Sequence, residues 1–548
     1  MSVSEPNKLP APSTLSSVLE EPTPVPLSAL VPLKNSIFRL LWIVWIIANT
    51  CTWMNDVAAA WMMTSLTASP VWVALVQTAS TLPVFMLGLP SGALADILDR
   101  RRYFIATQLW VVGVALILCA AVITGKVTPL LLLSLTFANG IGLAMRWPVF
   151  AAIVPELVSR PQLPAALALN GIALNSSRIA GPLIAGLVIA SAGTAYVFIL
   201  NAVLSMIAAL MLLRWKPDAV SAPLGPERLR SAMRVGVQFV RQSNHLISVF
   251  LTVALFFFHS TSLLALLPLI ARDLDGSTEV FTMLLASMGA GAISGASLLP
   301  RLRASKYRGV LVIAGALVQS SSTVAVALAP SVYVALPAMF LAGAGWLTVA
   351  NSLNMSAQLA LPNWVRARGM AMYQMSIMGA GAVGAALWGK LAALTSVQLS
   401  LLVSCIAGVA AMIVAHRVFA IHNGEEDLTS SYDDSSQCIN EVSDSGQVFL
   451  FIEYCINPEQ APKFIEVMKA SRRNCLRQGA IGWNLLHNAA EPGRYVEQVI
   501  DESWTEHLRR LRRSTMADKA LRKQKFDFHR GDTPPIVTHW IMEKGKHV

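Results

Sequence analysis

Charge is what this chain has least of. Asp, Glu, Lys and Arg make up only 13% of its 548 residues, against 55% hydrophobic residues and a mean hydropathy of +0.56. A soluble domain of this length needs polar faces on its helices, and the long apolar segments here have none. Cysteine is sparse and scattered: Cys51, Cys119, Cys405, Cys438, Cys455 and Cys475 form no CxxC or zinc-ligand spacing, which excludes a disulfide framework and a metal site as expectations. No GxxxxGK[ST] stretch occurs, so the chain carries no ATP engine of its own, and no cofactor is expected. Residues 1–33 lack an apolar signal core; rich in Pro and Ser, with Glu20 and Glu21, they read as a disordered cytosolic tail.

What is present is a train of apolar segments, about twelve between Phe38 and Phe419, each of roughly 20 residues or more, enough to cross ~30 Å of hydrocarbon. The net charge of +11 does not point to nucleic acid, because the Lys and Arg residues stand beside these segments. They mass at every second gap: Arg100, Arg101 and Arg102; Arg160; Arg214 to Arg241; Arg301 to Arg308; Arg366 and Arg368. The intervening gaps hold little beyond Lys126, Arg272 and Lys390. Short basic loops stay cytoplasmic, so a multi-pass protein of the inner (plasma) membrane with both termini in the cytosol is expected.

The longest internal gap, Trp215 to Leu246, divides the spans six and six. The expected organisation is a tail (1–33), an N-terminal six-helix half (34–216), a central cytoplasmic loop (217–245), a C-terminal six-helix half (246–421), a polar acidic linker (422–446) and a soluble domain (447–548). Within the central loop, Leu229, Met233, Val237 and Val240 recur at helical spacing between arginines. That suits a helix on the inner membrane surface, or an ordinary linker. In the soluble part, Val448–Tyr454, Ala480–Leu486, Tyr495–Ile500 and Ile536–Met542 read as strands, and Pro458–Leu476 and Trp504–Lys525 as helices. The β-α-β-β-α-β order suits a ferredoxin-like α+β fold behind the all-α membrane bundle.

Two stretches sharpen this. Gly92-Ala-Leu-Ala-Asp96-Ile-Leu-Asp99-Arg100-Arg101 resembles the GxxxDRxGRR loop motif of the major facilitator superfamily, with Ile97 in place of the first Arg and Asp99 in place of the Gly. The resemblance implies a charge network at a cytoplasmic gate. Arg178-Ile-Ala-Gly181-Pro182-Leu-Ile-Ala-Gly186 resembles the fifth-span GP motif of exporters in that superfamily. There Pro182 removes a backbone donor and Gly181 admits a neighbouring backbone. The chain as a whole is similar to the transmembrane secretion effector branch, which includes the enterobactin-exporter-like proteins. The similarity is carried by Trp53-Met54, Leu94-Ala-Asp96, the stretch Glu227 to Gly236, the stretch Val365 to Tyr373, and Glu502 to Leu508. The C-terminal domain (447–548) resembles the small antibiotic-biosynthesis-monooxygenase-like fold, which implies either a dimerising or ligand-sensing module or, against the absence of catalytic spacing, an enzyme using Trp483, His487 and Trp504.

A charge at the centre of a span costs ~2.5–3.5 kcal/mol or more, so each needs a reason. Asp56, in the first span, is the candidate proton carrier, or else the partner of a structural Asp56–Arg146 pair. Arg178 either faces a cavity and attracts an anion or braces the fourth and fifth spans. His259, after three phenylalanines, is a cavity candidate or a packed histidine. Trp53, Trp61, Trp147 and Trp346 are candidates for cavity or interface, and Asn170, Asn175 and Asn351 for substrate or helix-to-helix bonding.

The expected function is therefore a secondary active transporter, a proton-coupled exporter of a small organic compound working by alternating access. An importer on the same fold and a membrane-tethered enzyme are the alternatives. Its partners are the bilayer, protons and the solute. Each proton entering across 100 mV releases ~2.3 kcal/mol, enough for roughly a fifty-fold gradient of a neutral solute.

Overall fold

The computed structural model describes residues 30–159, 162–215, 229–274, 277–303, 308–362, 364–418, 431, 446–531 and 533–543. Most of the expected N-terminal tail and acidic linker, and the first part of the central loop, lie outside these. The chain forms six long helices, α1 (Ser36–Leu66), α2 (Pro70–Ile97), α3 (Arg100–Ile123), α4 (Pro129–Leu157), α5 (Leu163–Ala192) and α6 (Thr194–Leu212). A shorter α7 (Leu229–Arg241) precedes α8 (Asn244–Leu274), α9 (Thr278–Arg303), α10 (Arg308–Ala327), α11 (Val332–Leu359), α12 (Arg366–Leu394) and α13 (Val397–Val418). Among the described residues eleven helices are long and apolar enough to cross a membrane; α9 packs among them against α11 and α5.

Helix ends are set by local chemistry. Asn35 caps α1, accepting from the Ile37 and Phe38 amides, and its own amide donates to Leu157 O at the end of α4 (2.9 Å). Pro70 and Pro129 open α2 and α4, where no amide donor is needed. Gly193, at φ +99°, makes the tight turn from α5 into α6.

The C-terminal part, expected from the sequence as the soluble domain and so called below, follows as β1 (Val448–Cys455), α14 (Ala461–Gln478), β2 (Gly482–His487), β3 (Arg494–Asp501), α15 (Trp504–Arg512), α16 (Met516–Phe526) and β4 (Ile536–Ile541). Its strands form one antiparallel sheet in the order β2-β3-β1-β4, with Tyr454 opposite Tyr495 and Leu450 opposite Val499 and His539. The one helix expected over 504–525 is two. Thr515 and Asp518 form a reciprocal capping box that starts α16 afresh.

The helix α7 is present, but its apolar side meets protein. Val235 and Phe239 are buried, Phe239 against Leu246, Leu361 and Val365 at the ends of α8, α11 and α12, and α14 of the soluble domain packs on it from outside. The domain therefore sits at one end of the bundle, called here the domain-bearing end. The two halves meet along α2–α12 and α5–α9. At the far end they share one apolar core, in which Met63, Ile189, Ala271, Phe281 and Ala335 come from both halves. Toward the domain-bearing end the core divides. One part holds Phe38, Trp45, Phe104 and Leu212 of the first half; the other holds Val253, Trp346, Leu353 and Tyr373 of the second.

Candidate functional site

Positions 48, 52 and 56 lie on one face of α1, because side chains four apart stack along a helix. Arg146 of α4 reaches that face. It is buried, donates from Nη1 to Ala48 O (3.1 Å) and from Nη2 to Thr52 Oγ1 (3.0 Å), and lies over Trp45 (5.6 Å). Asp56, the next turn along, accepts instead from Ser80 Oγ of α2 (2.7 Å). The two expected pair partners are thus bonded separately, and no ion pair joins them among the described residues.

Arg178 stands half-way along α5. Its guanidinium lies over the ring of Trp53 on α1 (5.2 Å) and over that of Trp346 on α11 (4.4 Å), so it bridges the two halves rather than the fourth and fifth helices. Gly181 makes this geometry available. A Cβ there would stand 2.5 Å from Trp53 Cβ and 3.0 Å from Thr50 O, so only glycine lets α5 cross α1 this closely. Pro182 is buried inside the helix, and Gly186 faces Thr282 of α9. The motif Arg178, Gly181, Pro182, Gly186 therefore lies where the first half meets α9 and α11 of the second.

His259 is elsewhere. Its Nδ1 is 2.9 Å from Leu255 O on its own helix, its Nε2 is 3.5 Å from Ser320 Oγ of α10, and its ring packs on Gly408 of α13. It lies inside the second half. Trp61 stacks on Phe281 at the far end (5.2 Å), Trp147 packs edge-on against Trp45 (5.5 Å), and Asn351 is half-buried. The surroundings of Gly92 and the side chains of Asp96 and Asn175 lie outside the described residues, and among the described residues Asn170 Oδ1 is buried without a partner.

In the gate stretch, Asp99 caps α3 by accepting from the Arg102 amide (3.0 Å). That is a physical reason for an acid where the superfamily motif has glycine. Arg100 is the first residue of α3. Arg101 donates to Leu213 O (2.6 Å) and Leu212 O (3.4 Å), occupying carbonyls that the end of α6 leaves open.

Several partners had no sequence signal. Ser80 and Thr52 are ordinary hydroxyls until the helices bring them to Asp56 and Arg146. Arg272, in a weakly basic gap, donates to Thr64 O (2.7 Å) and ties the end of α8 to the end of α1 across the halves. In the soluble domain Glu497 is fully buried and receives Tyr454 Oη, Ser471 Oγ, Trp483 Nε1 and Lys525 Nζ at 2.7–3.0 Å. Burial alone would raise this carboxyl, but the Lys525 ammonium and the Ser471 and Trp483 hydrogen bonds hold it below its usual value. Asp501 pairs with Arg510 (2.8 Å) and His507 (2.7 Å); there too burial pushes up and the Arg510 charge brings the carboxyl down. His487 stacks on Tyr495 and Trp504 on His507, so Trp483, His487 and Trp504 serve three separate settings.

The model of the transmembrane secretion effector family matches residues 27–547. The staphyloferrin A transporter of Staphylococcus aureus is 23% identical over 261 residues, 47% of this chain and 65% of that protein. Macrolide efflux protein A of Streptococcus pyogenes is 25% identical over 235 residues, 41% of this chain and 56% of that one. The matched stretch thus spans less than two thirds of either relative. Among solved structures, a bacterial homologue of the human lysosomal transporter Spinster superposes with a TM-score of 0.56 at 15% identity, covering 71% of this chain and 97% of that one. The nucleoside transporter NupG superposes equally well, at 12% identity and covering 70% and 100%. These likenesses concern the fold. By the extent of the family match and by this architecture, the chain belongs to the transmembrane secretion effector family of major facilitator transporters.

Proposed function

We propose that this secondary transporter exports a small organic compound, a drug, siderophore or secondary metabolite, in exchange for protons, with its domain-bearing end in the cytosol. The observation that carries alternating access is the distribution of cores: one shared by both halves at the far end, and separate ones toward the soluble domain. A molecule built this way is closed on one side and parted on the other, and rocking the halves exchanges the two. On this reading the conformer opens inward. Asp56 supports proton coupling. It is a carboxyl within a span whose partner is a neutral hydroxyl, and such groups line proton paths in transporters. The GP helix α5, seated against α1 and α9, supports export, as does the likeness to a macrolide efflux protein. The soluble domain's strand order supports a ferredoxin-like fold, through which two copies of the chain would associate.

The test uses inverted membrane vesicles acidified inside. A panel including macrolides and siderophores should contain a compound whose addition collapses the pH gradient as it accumulates. Asp56→Asn should abolish that collapse while leaving the protein folded. Wild-type coupling in Asp56→Asn would remove Asp56 from the mechanism, and accumulation without proton movement would remove proton exchange altogether.

A further inference from the structure

We propose that Arg178, framed by Trp53 and Trp346, is the subsite for the oxyanion head of an amphipathic organic anion, a carboxylate above all, and that such anions are the substrate class. This rests on reading the bundle as a transporter, and it adds the chemistry of the cargo.

The argument begins with what a cation inside a span requires. Arg146 has Ala48 O and Thr52 Oγ1; Arg272 has Thr64 O. Arg178 has neither a hydrogen-bond acceptor nor a carboxylate among the described residues, and its Nε is buried and unpartnered. A guanidinium so placed is costly unless something else satisfies it. The two indoles satisfy its faces by cation–π attraction. They leave the edge, where the N–H donors are. That edge is a planar fork matching a carboxylate in two parallel hydrogen bonds. Arg178 is only partly buried although it stands half-way along α5, and its two ring partners come one from each half, so the guanidinium lies where the halves face each other.

The surroundings favour an anion with an apolar body. Arg146 adds a second positive charge, bonded to the residue beside Trp53, while Asp56 is turned to Ser80. Phe257 packs edge-on against Trp346 (5.7 Å), and Ile179 packs against Gly289 beside Arg178. Because Trp53 belongs to the first half and Trp346 to the second, a head group held here touches both bodies that move. A ligand shifts a conformational equilibrium only through such differential contact.

The test is equilibrium binding of 2-naphthoate and of its neutral amide, 2-naphthamide, to the purified full-length protein in detergent, with no gradient imposed. The wild type should bind the acid about tenfold or more tightly than the amide. Arg178→Gln should lose that preference, and Arg178→Lys, which keeps the charge but not the fork, should retain part of it; thermal melting checks that each variant is folded. Equal affinity for acid and amide, no binding of the acid, or a full preference surviving in folded Arg178→Gln would each overturn the proposal. Direction and proton coupling do not enter this measurement, so a failed vesicle assay leaves it standing, and a failed binding assay leaves proton-driven export of other compounds standing.

Discussion

Glu497 shows how much a single buried residue is asked to do. Four donors converge on one carboxylate that water does not reach. Replacing it with Gln would leave Lys525 buried beside a neutral amide. Breaking such a pair costs roughly 3–5 kcal/mol, so Glu497→Gln should lower the protection of β1, β3 and α14 amides at neutral pH, measured by hydrogen exchange corrected for intrinsic rates. The pH dependence has a definite sign. The native carboxyl titrates below its unfolded value of about 4.3. Its contribution is therefore complete above that value and is lost as pH falls through the depressed native one. In the wild type, protection of these amides should fall with acid in that window; in Glu497→Gln that component of the acid response should be missing. An acid response identical in both proteins would show that Glu497 is not the group being titrated.

At the scale of elements, the crossing of α5 over α1 is the contact on which Arg178 and Trp53 depend, and two glycines of α5 separate its causes. A Cβ at Gly181 meets Trp53 Cβ and the Thr50 carbonyl, whereas one at Gly171 meets nothing within 4 Å. Overpacking a tight contact costs typically ~1–3 kcal/mol. Gly181→Ala should lower the melting temperature in detergent, and Gly171→Ala should leave it unchanged or raise it slightly, since alanine is the better helix former. Equal melting of the two variants would mean that the crossing is not tight. This contact also marks the limit of what the sequence made legible. Apolar runs of membrane length announced the long helices, and basic gaps announced which ends lie together, because both signals are local. The capping box at Thr515 and Asp518 was equally local, and it divides what periodicity alone joined into one helix. The Trp53–Arg178–Trp346 sandwich was not legible: its three members come from α1, α5 and α11, and no spacing encodes how two halves meet. For the same reason the amphipathic pattern of α7 showed that one face needed cover but not what covers it; a lipid surface and a protein surface ask for the same pattern.

On the scale of the whole molecule, the soluble domain is fastened to one half of the bundle. Phe239 of α7 and Trp364, just before α12, pack edge to face (5.5 Å), and the domain supplies a cation to each: Arg477 over Phe239 (5.5 Å) and Arg513 over Trp364 (5.1 Å). Around them Arg234 of α7 pairs with Glu502 (2.8 Å) and approaches Gly479 O, and Gln238 approaches Ala480 O. The Arg234–Glu502 pair is partly exposed and contributes at most ~1 kcal/mol. The aromatic pair and its two cations contribute more, at roughly 0.5–1.5 kcal/mol for the ring contact and up to ~2 for each sheltered cation. Trp364 is thus the aromatic anchor of this attachment, and since it precedes α12 and packs with the ends of α8 and α11, the anchor itself belongs to the second half. In Trp364→Ala, amides of α7 and α14 should exchange faster together, while those of β1 and β3, held by their own ladder, should keep their protection. Faster exchange in α7 alone would place the anchorage in the polar contacts instead, and faster exchange throughout the sheet would mean that the domain depends on the bundle for its fold rather than merely resting on it.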